Sequence, residues 1–239
     1  MLFDTYYEKL TEVLTRIKDT QRDKMQSVSE RVAEVIKNDG IIYVFGCGHS
    51  HLIGLDCFYR AGGLVNVSAV LDTDLMLHNG AAKSSKMEKM RGITPSVFER
   101  YCITEKDMLF VISTSGKNAA PVEMAEVSRE NGVFTVSVIS SDYFADKKGA
   151  PLLYECSDIF IDNCVPHGDA VMDIEGIDVK MGSVSTAASS YIMQSVLMEG
   201  ARLAAKTVKP DVYLSGNVEG GAEYNKALIK KYMPRIKHL

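Results

Sequence analysis

The sequence predicts a doubly wound α/β fold, with a mostly parallel five-stranded sheet flanked by helices and a long N-terminal helical segment. Three observations predict it. Five short continuous apolar runs recur along the chain, each suited to a strand buried on both faces. Helix-length segments alternate with them, the rhythm of parallel strands joined by crossovers. Two of the runs end in glycine- or hydroxyl-rich turns that open a helix.

Residues 2–38 read as helix, because Leu10, Val13, Leu14 and Ile17, then Val28, Val32, Val35 and Ile36, recur at three- and four-residue steps. The polar stretch Lys18 to Lys24 is a place for that helix to kink or divide. The period then changes. Ile41 to Phe45 is the first strand run, followed by Val65 to Leu71, Met108 to Ile112, Val133 to Ile139 and Ile159 to Ile161. Helices are expected over roughly 51–62, 95–103 and 118–131, then about 183–206 and about 221–237. Asp72 to Arg91 is polar, contains Asn79-Gly80 and has no clean period. A loop that long inside a compact domain is usually functional, so it is expected to serve the active site.

The 239 residues are read as one domain, with an N-terminal helical extension over about 1–38 and a C-terminal helix at about 221–237. The composition is 46% hydrophobic and 24% charged, ordinary for a globular protein, and the formal net charge is -4. A nucleic-acid binder usually shows a basic surplus, so none is expected as a partner. The apolar runs fall short of the roughly 18 residues that span a bilayer. The five cysteines are odd in number and form no CxxC pair, and the first residues lack a signal-peptide layout. The reading is a cytoplasmic protein with free thiols.

The first turn is Gly46-Cys47-Gly48-His49-Ser50, between a strand and a helix. Its glycines permit a sharp turn and close approach of a ligand, and the helix aims free N–H groups and a positive dipole end at it. A dinucleotide fingerprint would need glycine where His51 stands, so no such cofactor is expected. The second turn is Ser113-Thr114-Ser115-Gly116, followed by Asn118 as N-cap and Pro121 in the first helical turn. Both turns would face the same sheet edge, where ligands of such sheets bind. Each alone would also serve as an ordinary turn.

In these two turns and the strand–helix rhythm around them, the chain resembles the sugar isomerase (SIS) domain family over roughly 24–205. That family's strand followed by G-x-G-x-S is matched by Gly46, Gly48 and Ser50, and its strand followed by S-x-S-G by Ser113, Ser115 and Gly116. Within it the chain looks most like a bacterial group in which Gly-His-Ser-His recurs, related to phosphoheptose isomerase and N-acetylmuramic acid 6-phosphate etherase. The resemblance implies a phosphorylated sugar as ligand, held by Ser50, Ser113, Thr114 and Ser115, with Gly48, His49 and Asn118 beside them. Asn118 stands where the family often has Ser or Thr, and Ala120 where it often has an acid. The resemblance also implies a homodimer or higher homo-oligomer with a shared pocket, its contacts made by the N-terminal and 183–206 helices.

An aldose–ketose isomerase needs a base for the proton beside the carbonyl, an acid for ring opening and support for an enediolate. Candidates are Glu88, His78, His49, His51, His167, Asp169, Asp173 and Glu175. Glu88 and His78 lie in the polar loop and His167 follows the last strand, so these three are singled out as catalytic. The bland alternative for each is an exposed side chain on a loop. Lys180 and Ser183 precede a helix and could touch the sugar or a partner subunit, and His238 reads as surface. Cys47, His49 and His51 form a C-x-H-x-H string, but zinc sites use other spacings, so neither metal nor cofactor is expected. The alternatives to an isomerase are an etherase-type lyase and a phosphosugar sensor without catalysis.

Overall fold

A computed structural model describes residues 1–147 and 149–239. Two helices open the chain, α1 (Leu2–Thr20) and α2 (Arg22–Lys37). They part at Gln21, inside the polar stretch that suggested a break. The Gln21 side chain is buried there, and its amide oxygen accepts a hydrogen bond from the Asp162 N–H at 3.1 Å. The helical ladder is interrupted where a side chain is needed to satisfy the sheet.

The central sheet contains β1 (Ile42–Gly46), β2 (Val67–Val70), β3 (Met108–Ile112), β4 (Phe134–Ile139) and β5 (Ile159–Asp162). Its order is β2-β1-β3-β4-β5, and every neighbouring pair is parallel. Alternate residues of β1 feed two cores. Ile42 and Val44 pack with α1, α2, α3 (His51–Cys57) and α7 (Ser185–Ala204). Ile41, just before the strand, with Tyr43 and Phe45, packs with α5 (Thr94–Tyr101), α6 (Ala119–Glu130) and the Tyr232 end of α8 (Gly221–Tyr232). Burial on both faces is why these strands read as unbroken apolar runs.

The chain therefore leaves β1 toward one face and β3 toward the other. That divergence between adjacent parallel strands opens a crevice at their C-terminal ends. The stretch after β2, expected as a loop, is largely ordered into short helices: single 3-10 turns at Thr73–Leu75 and Leu77–Asn79, then α4 (Ala81–Met87). Its lack of apolar period reflects its position, since only Leu75, Met76 and Ser84 in it are buried. α3 ends at Cys57, short of the expected 62.

A two-stranded antiparallel hairpin was not expected. β6 (Ala170–Ile174) and β7 (Ile177–Ser183) form it, outside the main sheet. The C-terminal segment returns to the sheet edge through Val65 N–H to Asp211 O at 2.9 Å and Gly62 N–H to Tyr213 O at 2.8 Å. Among the described residues no helix is long and apolar enough to cross a membrane. All five cysteines are free.

Candidate functional site

The first turn is shaped by steric necessity. A Cβ on Gly46 would lie 2.6 Å from the backbone carbonyl of Ser50, so the strand can fold back only without a side chain here. Ser50 N–H bonds Cys47 O at 2.9 Å, and Gly48 to Ser50 make one 3-10 turn that runs into α3. His51 is 5% exposed, and its Nδ1 bonds the Gly48 carbonyl. A carbonyl only accepts, so Nδ1 carries the proton and the ring fixes the turn. His51 is thus a buried support, whereas His49 is exposed at the crevice rim. The Ser50 hydroxyl is half-buried and has no hydrogen-bond partner among the described residues.

The second turn is laced to its neighbours. Ser113 N–H bonds Val138 O at 3.0 Å, Ser140 N–H bonds Thr114 O at 2.8 Å, and Leu153 N–H bonds Gly116 O at 2.8 Å. Asn163, fully buried after β5, donates to Thr114 Oγ1 at 3.2 Å and to Ser189 Oγ of α7 at 3.4 Å. Its own Oδ1 accepts from Val165 N–H at 3.3 Å. Since Thr114 Oγ1 already accepts, its proton is free for another group. Asn163 was missed by sequence reasoning, although its place just past the C-terminal end of a strand is the signal that could have found it.

Asn118 occupies the N-cap of α6, yet its side chain makes no capping bond. It faces Glu88 instead. Glu88 O accepts from Ala120 N–H at 2.9 Å, which seats the segment after α4 on the first turn of α6. Burial pushes the Glu88 carboxyl above the ordinary 4.5, opposed by Lys89 and by the Asn118 side chain. The Cys47 thiol is also pushed up, by burial first and then by Glu88 and Asp72. Glu88 thus sits against the first turn of α6, just past the second turn, and Cys47 is a buried thiol rather than a thiolate.

A second carboxylate holds this segment in place. Buried Glu123 of α6 accepts from Thr94 Oγ1 at 2.6 Å, from Gly92 N–H at 2.7 Å and from Thr94 N–H at 3.2 Å. Three donors keep its charge satisfied away from water.

The histidines divide. The exposed His78 ring stands edge-on to His51, with centroids 6.2 Å apart, beside the first turn. His167 stacks on Tyr143 at 4.4 Å, and its Nε2 lies 3.2 Å from Asp146 Oδ2, which also binds Lys117 Nζ at 2.7 Å. Lys117, then His167, hold the half-buried Asp146 carboxyl below its ordinary range. His167 lines a groove of about 460 Å³ under α1, outside the β1–β3 crevice. A depression of about 410 Å³ beside the second turn is lined by Lys117, Asn118, Asp146 and Leu152.

The remaining candidates have structural tasks. Asp169 caps α7, accepting from Val184 N–H at 2.9 Å, Ser185 N–H at 2.8 Å and Ser185 Oγ at 2.7 Å. Asp173 pairs with Lys180 at 2.7 Å across the hairpin, and Glu175 stands in its turn. His238 is exposed, as expected, and its Nε2 lies 2.7 Å from the Tyr101 hydroxyl. Among the described residues no three His, Cys, Asp or Glu side chains converge as metal ligands.

The arrangement offers an anion the hydroxyls of Ser50, Ser113, Thr114 and Ser115, with the positive ends of α3 and α6 behind them. Known proteins share the family and the fold. The SIS domain family matches residues 5–140. A UPF0309 protein of Geobacillus thermodenitrificans is 38% identical over 240 residues, covering 98% of this chain and 96% of that one. A phosphoheptose isomerase from Francisella tularensis shares the fold with a TM-score of 0.57 at 13% identity, over 84% of this chain and 96% of its own. The Vibrio vulnificus NanR protein, complexed with ManNAc-6P, superposes with a TM-score of 0.52 at 14% identity, over 100% of this chain and 71% of its own.

Proposed function

The chain belongs to the SIS domain family, in its UPF0309 group, and from that premise we propose that it binds a phosphorylated sugar in the β1–β3 crevice and interconverts its aldose and ketose forms. One observation carries the reading: a glycine-rich turn ending in Ser50 and a hydroxyl-rich turn, Ser113 to Ser115, face one crevice, with the half-buried Glu88 seated at the start of α6 beside them. The phosphate accepts hydrogen bonds from Ser50, Ser113, Thr114 and Ser115, while Gly48, His49 and Asn118 wall it. Anchoring the phosphate converts a chance encounter into a fixed geometry for the sugar's carbonyl end.

Glu88 acts as the base. Its carboxylate takes the proton from the carbon beside the carbonyl, leaving an enediolate, and returns it to the neighbouring carbon as the hydroxyl proton passes from one enediolate oxygen to the other. The same group gives and takes the proton, so no net charge accumulates over a turnover. His78, at the rim of the first turn, supplies the acid that opens the sugar ring. His167 keeps a role only if the bound sugar reaches past Lys117 and Asp146.

A sensor without catalysis is the second reading, and one observation favours it: Glu88 is half-buried beside the turns, whereas His49 and His78 stand exposed at the rim. Proton NMR of hexose, N-acetylhexosamine, heptose and muramic acid phosphates, incubated with the protein in heavy water, separates the readings. The isomerase reading expects deuterium at the carbon beside the carbonyl and a new sugar signal. Lactate release would replace it with the lyase. Saturable binding without exchange or product would leave the sensor.

A further inference from the structure

The hairpin lies outside the crevice and is anchored at its base. Asp169 ties it to the start of α7, and Tyr6 of α1 donates to Ser183 O at 2.7 Å. The strand beyond these anchors stands in solvent. Every residue of β7 is exposed except Gly182, with Ile177 at 43%, Val179 at 71% and Met181 at 49%. β7 pairs with β6 alone, so its other edge has no strand beside it among the described residues. A two-stranded ribbon is marginal by itself, and an open edge with an apolar row is a template for another strand.

The sequence of β7 specifies which strand. Ile177 and Met181, which pair with Ile174 and Met172 across an irregular register, share one face, and alternation puts Val179 with them and Asp178 and Lys180 on the other. Place a second β7 antiparallel with Val179 opposite the partner's Val179. Ile177 then faces the partner's Met181, and Asp178 faces the partner's Lys180, and each contact occurs twice. An edge lysine normally blocks strand addition. Here the two-fold register gives each lysine a carboxylate across the edge, in addition to Asp173 on its own hairpin at 2.7 Å. Shifting the register by one residue would put apolar side chains opposite charges, and a parallel partner in the same register would put like charges level. The pattern complements itself only antiparallel and only about Val179.

We propose that β7 pairs with β7 of a second copy of this chain, joining two hairpins into a four-stranded antiparallel sheet across a two-fold axis. A strand pair this short buries less than the roughly 1,000 Å² of a stable interface. Leu2, Phe3 and Tyr7, exposed on α1 next to the Tyr6 anchor, extend the apolar surface at the strand's end. The contact surface differs from the α1 and α7 faces that the sequence suggested. It is independent of the phosphosugar reading, because the hairpin lies outside the main sheet whose strand ends carry the two turns.

Charge reversal tests the register in the full-length chain. D178K leaves a strand with two lysines, and K180D one with two aspartates. By sedimentation velocity, each variant alone should dissociate with a constant raised at least about tenfold over the natural chain. A 1:1 mixture of the two should regain the natural assembly, because the opposite strands again complement each other. A natural chain that still sediments as a monomer at about 100 µM, where even a weak complex of micromolar affinity would be formed, would overturn the proposal. So would variants that assemble like the natural chain, or a mixture that assembles no better than its components.

Discussion

At the residue scale, the crevice depends on positions where one atom decides. Gly46 has no room for a Cβ, because the atom it would meet is backbone at 2.6 Å. Gly48 has room, with its nearest contact Leu77 at 3.9 Å, but a φ of +56°. G48A should therefore cost only the left-handed penalty of about 1–2 kcal/mol. G46A should cost more and displace Ser50, which urea unfolding and phosphosugar titration would reveal together. Glu88 yields a second prediction. As base it must be ionised, and burial raises its pKa above 4.5. The rate should fall as pH drops through that raised value, so the acid limb lies higher than for an exposed glutamate. E88Q should abolish solvent exchange by at least about a hundredfold while leaving sugar affinity within a few-fold. Equal exchange by E88Q would remove Glu88 from the mechanism. Much of this site was legible as sequence, since glycine and hydroxyl spacing is written locally. Asn163 and Glu123 were not, because each matters through partners distant in the chain: Thr114 and Ser189 for one, Gly92 and Thr94 for the other.

At the element scale, the buried strands were legible because burial on both faces demands continuous apolar runs. β3 begins and ends where its run does, at Met108 and Ile112. α4 and the hairpin were not legible for the converse reason. Ala81 to Met87 bears lysines and serines with little apolar period, and β7 has an apolar row that meets no core. Helix packing makes its own prediction. α2 and α7 approach at Gly200, where a Cβ would lie 2.3 Å from Val32 Cγ1 and 3.0 Å from Ser29 O. Helix propensity alone predicts that G200A gains about 1 kcal/mol. Overpacking against a stiff valine costs about 1–3 kcal/mol. We expect the clash to win and the midpoint of urea unfolding to fall; a raised midpoint would show that the two helices part readily.

At the scale of the whole molecule, topology places the chemistry. The divergence of α3 and α6 to opposite faces creates the crevice, and the polar segment after β2 returns across it to bring Glu88 onto α6. His167 shows the limit of reading by proximity to a strand end: it follows β5, but its stacking on Tyr143 turns it to the groove under α1. The central claim is that the two turns hold the phosphate of a sugar. Its most direct test is calorimetric titration of the phosphosugar panel into the natural chain and into S115L, each checked for folding by circular dichroism. The account predicts saturable binding of at least one phosphosugar, with the unphosphorylated sugar and the S115L variant each weaker by at least about a hundredfold. A folded S115L that binds that phosphosugar as tightly as the natural chain would contradict it.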